Sequence, residues 1–234
     1  MFTKLLAYEI RSRAVADGRS FGAFIVTIAV ASGIVAAGLP GISGSTATLA
    51  YALCALTPVA CAIAAMADYW KTLYGQRGYF TMSLPISGTA IFWAKITRMA
   101  IECLLALALA VGGILAVASA AAWSDGISLA EYTAGPRSLV AGVPTSTVVI
   151  MIVVQVLVWL SWLVQGSAVM SIGAEGRFNH MGFGAPIIGF VLLYIVNQVL
   201  STVGTFFLPL SVTTDGHFST EIMWTSYLAT MGTE

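Results

Sequence analysis

Long apolar stretches alternate with short polar ones along the chain, and the pattern predicts five membrane-spanning helices. A bilayer core of about 30 Å takes about 20 consecutive apolar residues per helix. Stretches of that size cover residues 21–39, 46–67, 99–122, 147–172 and 182–208. The first ends at Pro40-Gly41, and the Gly/Ser-rich residues 41–45 predict a tight turn into the second. Pro58 lies inside the second stretch and predicts a kink there, tolerated in lipid where neighbouring groups satisfy the freed carbonyl. Within residues 1–20, Phe2, Leu5, Leu6 and Ile10 recur at helical spacing while Lys4, Glu9, Arg11 and Arg13 fall largely on other faces. That spacing predicts an amphipathic helix lying at the membrane interface. After Pro209 the remaining apolar part, residues 222–231, is too short to span alone, so either the tail is external or a sixth helix is shortened or cut off. The expected fold is all-α, a polytopic transmembrane helix bundle forming one domain over residues 1–234.

Composition agrees with lipid as the main solvent, because 59% of the residues are hydrophobic and 9% are charged, against roughly 25% charged in soluble domains. Net charge is zero, yet its distribution is informative. With five spans, one side of the membrane carries Lys4, Arg11, Arg13, Arg19, Lys71, Arg77, Lys95, Arg98 and Arg177, and the other only Arg137. Basic residues accumulate on the cytoplasmic side, so this reading puts the amino terminus in the cytoplasm. Cys54 and Cys61 sit seven residues apart on one helix, about 10 Å in rise, and Cys103 lies alone at the start of another, so no disulfide framework is expected. No Cys/His metal spacing occurs, and no metal site is expected.

Chemistry-bearing motifs are scarce. The GxxxxGK[ST] phosphate loop is missing, so any ATP energy comes from another polypeptide. Neither HExxH nor GxSxG occurs, and His180 and His217 fall on opposite sides of the membrane, which argues against a hydrolase. Glu102 is the one acidic residue clearly inside a span, and Arg98 four residues earlier shares its helical face, which predicts an ion pair near the headgroups. Gln155, Trp159, Gln165, Asn197 and Gln198 bring amides and an indole into the fourth and fifth spans, either as helix-to-helix glue or as the lining of a substrate path. Gly112, Ala116 and Ala120 form a small-residue ridge for close helix packing.

Residues 68–98 form the longest polar insertion in the first half of the chain. Tyr69, Trp70, Tyr74 and Tyr79 alternate there with Lys71 and Arg77 after Asp68, and Leu84-Pro85 precede a helix start at Ser87. Aromatic and arginine side chains are common interface anchors, so the segment reads as a partner-docking element or an amphipathic linker. The run Tyr74-Gly75-Gln76-Arg77-Gly78-Tyr79-Phe80-Thr81-Met82-Ser83-Leu84-Pro85-Ile86-Ser87, with Trp93-Ala94-Lys95-Ile96 beyond it, resembles the stretch after the second helix of ABC-2 type permeases of bacterial ABC transporters. The order of parts is similar too, an amphipathic amino-terminal helix, two spans, a coupling segment, then further spans.

That resemblance implies a transport subunit rather than an enzyme: the multi-pass permease of an ATP-driven exporter in the bacterial plasma membrane. It would bind no cofactor itself, since ATP and Mg belong to separate ABC ATPase subunits, and it would pair with a second permease copy or a paralogue within the lipid bilayer, without nucleic acid. The ATPases would dock on Asp68 to Arg77 and around Glu175 and Arg177, and an apolar or amphipathic substrate such as a drug, lipid or peptide would be moved. Such permeases usually have six helices with both ends inside, whereas five are counted here. The alternatives are a membrane scaffold or immunity-type protein that binds a partner without transport, and an ion- or proton-coupled carrier.

Overall fold

The computed structural model describes residues 2–75, 78, 83, 85–139, 141–175, 178, 181–182, 184–209, 211–212, 218–220 and 222–231. Five of its helices are long and apolar enough to cross a membrane, and the chain is an all-α, multi-pass membrane protein. It divides into two compact units, residues 1–137 and 138–234.

The first unit is built on three helices, α1 (Phe2–Ala36), α2 (Ser43–Leu73) and α3 (Gly88–Ser124), of 35, 31 and 37 residues. At about 1.5 Å per residue each is roughly 46 to 55 Å long, well beyond a hydrocarbon core of about 30 Å. The amphipathic segment at residues 2–20 is helical, but it runs unbroken into the first span as part of α1. No breaker separates Arg19 from Phe21, Gly18 and Gly22 meet open space, and Glu9 is buried in an ion pair with Lys95 of α3. Those contacts hold the segment against its neighbours instead of leaving it as a separate surface helix.

The polar insertion at residues 68–98 is likewise largely helix, since α2 continues to Leu73 and α3 begins at Gly88. Ser87 is the N-cap residue of α3, with extended backbone, and its carbonyl accepts from the amides of Ala90 and Ile91. Pro58 is buried inside α2, which continues through it.

Packing in this unit centres on α3, which lies against both α1 and α2. Phe24 and Ile28 of α1 and Ala50 and Cys54 of α2 cluster with Ala110 and Val117 of α3. The small-residue ridge that permits this overlaps the expected one in part, since Ala116 packs against the cluster but Gly112 is exposed. Ala106, Ala110, Gly113, Val117 and Ala121 are buried, whereas Gly112 is exposed with nothing near its Cα hydrogens. A 100° helical step rotates Gly112 off the packed face and Gly113 onto it. A Cβ on Gly113 would lie 2.7 Å from Cys54 Sγ and 3.4 Å from Phe24. We expect Gly113→Val to destabilise the unit by about 1 to 3 kcal/mol through overpacking, while Gly112→Val leaves the midpoint of detergent-induced unfolding unchanged. Circular dichroism during titration with sodium dodecyl sulfate measures both.

After α3 come two short helices, α4 (Leu129–Tyr132) and α5 (Ala134–Ser138), the first capped by the Ser128 hydroxyl accepting from the Glu131 amide. In the second unit, α6 (Thr145–Gly173) and α7 (Gly184–Phe207) pack on each other. Gly173 makes the approach possible, since a Cβ there would fall 2.8 Å from the Pro186 nitrogen. A two-residue antiparallel ladder, β1 (Ser211–Val212) with β2 (Phe218–Ser219), leads to α8 (Met223–Met231). At 9 residues α8 is about 13 Å long and does not cross a bilayer. Trp224 and Tyr227 fix it to Phe206 of α7 by ring contacts of 5.9 and 6.3 Å.

Candidate functional site

At the amino-terminal end of the first unit, three helices contribute charges to a single buried network. On α1, Glu9, Arg13 and Asp17 recur every four residues and share one face. On α3, Lys95, Arg98 and Glu102 follow at spacings of three and four, and Asp68 with Thr72 completes the set from α2. Lys95 is 2% exposed and Arg98 1%, values tolerated for cations only when they are paired.

The pairing is extensive. Lys95 Nζ donates to both carboxylate oxygens of Glu9 at 3.0 Å and to Thr72 Oγ1 at 3.0 Å. Thr72 in turn donates to the Asp68 carbonyl at 2.8 Å, so one hydroxyl relays between the cation and the backbone of α2. Arg98 uses its planar fork on two helices, donating from Nη2 to Asp68 Oδ2 at 3.0 Å and from Nη1 to Glu102. Its Nε lies 3.8 Å from Glu9 and makes no hydrogen bond. Arg13 Nη1 reaches Asp68 at 3.4 Å, and its Nε is 3.8 Å from Asp17. The result is a clasp joining α1, α2 and α3, in which every carboxylate but Asp17 and Glu102 is shared with a different helix's cation.

Beside the clasp, an aromatic group covers the end of α2. Tyr69 is 1% exposed and makes edge contacts with Tyr74 at 6.3 Å and Phe92 at 6.4 Å. Trp70 packs on Tyr74 at 5.3 Å, and Phe92 on Trp93 at 5.5 Å. Of the residues expected to dock a partner, Lys71 is exposed and Trp70 and Tyr74 are half-buried. Tyr69 is buried among its aromatic neighbours and offers no surface to a partner, whereas Asp68 is half-buried and held by two arginines. Arg77, Tyr79 and Arg177, with His180 and His217, lie outside the described residues. Glu175 is exposed just past the end of α6.

The amides in the second unit divide. Asn197 donates from Nδ2 to Gln165 Oε1 at 2.8 Å, joining α7 to α6. Gln155 and Gln198 are exposed and Trp159 is half-buried, and no hydrogen bond among the described residues joins these three to that pair. Cys103, expected to lie alone, is a free, buried cysteine on α3.

Glu9, Arg13, Asp17 and Lys95 were not expected among the site residues. Their signal was the four-residue recurrence of charges of alternating sign on α1, matched by the Lys95-Arg98-Glu102 stripe. Trp93, 49% exposed beside Phe92, is a further aromatic on this end of the unit.

Fold and network together define a multi-pass membrane protein whose first three spans are joined at one end by buried ion pairs. No protein-family model, curated protein or solved structure matches the chain.

Proposed function

We propose that the chain is the permease subunit of an ATP-driven ABC exporter of the ABC-2 type. It lies in the bacterial plasma membrane with its amino terminus in the cytoplasm, and it moves an apolar or amphipathic substrate. The carrying observation is the group of aromatic and basic residues Trp70, Lys71 and Tyr74 at the end of α2, next along the helix to Asp68 and Thr72 of the clasp that joins α1, α2 and α3. A partner that displaces the end of α2 moves Asp68 with it, and Asp68 is held by Arg13 of α1 and Arg98 of α3. Force applied at this end of α2 is therefore delivered to three spans as a unit, which is what ATP-driven switching of a helix bundle requires. The ATPase subunits supply nucleotide binding, and a second permease copy or a paralogue completes the pathway.

The test is ATP hydrolysis in membrane vesicles that contain the chain together with an ABC ATPase encoded beside it. Hydrolysis should rise several-fold when an amphipathic substrate is added, and vesicles lacking the chain should show no such rise. A rate indifferent to the chain would refute the proposal. Orientation has its own test. Leu139, 83% exposed after α5, falls outside the cell and Lys71 inside, so Leu139→Cys should react with a membrane-impermeant maleimide on intact cells and Lys71→Cys only after lysis.

A further inference from the structure

We propose that the groove between α1 and α2, closed at its polar end by Asp17 and Glu102, binds an organic ammonium ion carrying an apolar tail. The inference concerns binding alone and does not depend on an ATPase driving the chain.

A cavity of about 420 Å³ lies between these helices, within the range of roughly 300 to 1,000 Å³ common for small-molecule sites. Its polar end is formed by Arg13, Asp17 and Glu102, and it continues past Phe21 and Phe24 to Thr27 on α1 and to Leu53 and Thr57 on α2. From Arg13 to Thr27 is about 21 Å along the helix axis. One end is thus charged and the body apolar, with two phenyl rings able to attract a cation.

The sign of the ligand follows from the charges around the cavity. The groups that meet there are Glu9, Arg13 and Asp17 of α1, Asp68 of α2, and Lys95, Arg98 and Glu102 of α3. Four carboxylates face three cations, an excess of one negative charge. The excess falls on the cavity. Lys95 is spent on Glu9, and Arg98 is divided between Asp68 and Glu102. Arg13 is closer to Asp68, at 3.4 Å, than to Asp17, at 3.8 Å. Asp17 therefore has no cation within hydrogen-bond distance among the described residues, and it lines the same end of the cavity as Glu102. Two carboxylates at one end of a cavity repel, and one ammonium placed between them supplies the missing charge and up to three donors. An anion would face the same two carboxylates, and a neutral ligand would leave the excess negative charge uncompensated.

The test uses the full chain in nanodiscs of phosphatidylglycerol and the fluorescent amine dansylcadaverine, with dansylamide as the neutral counterpart. Saturable binding of the amine is expected, weakened at least tenfold by Asp17→Asn and abolished by Thr57→Trp, which fills the groove away from the clasp. Bound amine should also slow alkylation by N-ethylmaleimide of Cys61, which lines the groove while Cys54 and Cys103 are buried. Replacing phosphatidylglycerol by phosphatidylethanolamine separates two natural sources of the cation. Weaker probe binding assigns it to a lipid headgroup, unchanged binding to a soluble amine, and both keep the site. Equal affinity for dansylamide, an unchanged affinity in a folded Asp17→Asn protein, or an unprotected Cys61 would overturn it.

Discussion

Arg98→Ala should lower the stability of the first unit by about 3 to 5 kcal/mol, the cost of leaving buried charges without their partner. Arg98 is 1% exposed and bonds Asp68 of α2 and Glu102 of α3, so its loss leaves Glu102 without its cation and Asp68 with Arg13 alone. The desolvation already incurred by those groups is then no longer offset. Arg98→Lys should recover only part of the loss, because a point charge cannot reproduce a fork that spans two helices. Pairwise removal should behave differently. Lys95→Met destabilises alone, but combined with Glu9→Leu it should return most of the stability, since no charge of that pair remains to be satisfied. Unfolding by sodium dodecyl sulfate followed by circular dichroism measures the series. An Arg98→Ala protein as stable as the parent would show that the clasp does not hold the three helices together.

Trp70→Ala with Tyr74→Ala should weaken ATPase binding at least 100-fold, about 2.7 kcal/mol, while the chain still folds. Both rings are half-buried and in contact at 5.3 Å, a rigid aromatic pair of the kind that dominates interface energetics. Lys71 is exposed, and Lys71→Ala should act mainly on the association rate and its salt dependence. Tyr69→Ala is the wrong probe, because a side chain that is 1% exposed would be missed by the fold before any partner noticed it. Titration of labelled ATPase onto the chain in nanodiscs separates these cases. Unchanged affinity in the double variant would remove the docking face from the account.

How much of this was legible beforehand depended on which physical rule applied. The five spans were visible because lipid forbids unpaired backbone, so each crossing must be a long apolar helix. Their ends were not, since α1, α2 and α3 continue beyond the apolar stretches on polar residues that pack with one another. Glu9 and Arg13 looked like the wet face of an interfacial helix, which is the ordinary fate of charges at that spacing. What buries Glu9 is Lys95, 86 positions away, and hydropathy along a single sequence carries no information about such a pairing. Arg98 and Glu102 were legible because they lie one turn apart on the same helix. Within the expected ridge Ala116 was placed correctly and Gly112 was not, because both Gly112 and Gly113 suit close approach and only the neighbours Cys54 and Phe24 distinguish them.

The most direct measurement is purification of the chain from its native membranes in a mild detergent, followed by identification and assay of whatever remains bound. A co-purifying ABC ATPase that hydrolyses ATP is expected, and it should be lost when Trp70 and Tyr74 are replaced by alanine. A chain recovered without any ATPase, its clasp and fold intact, would contradict the proposed function.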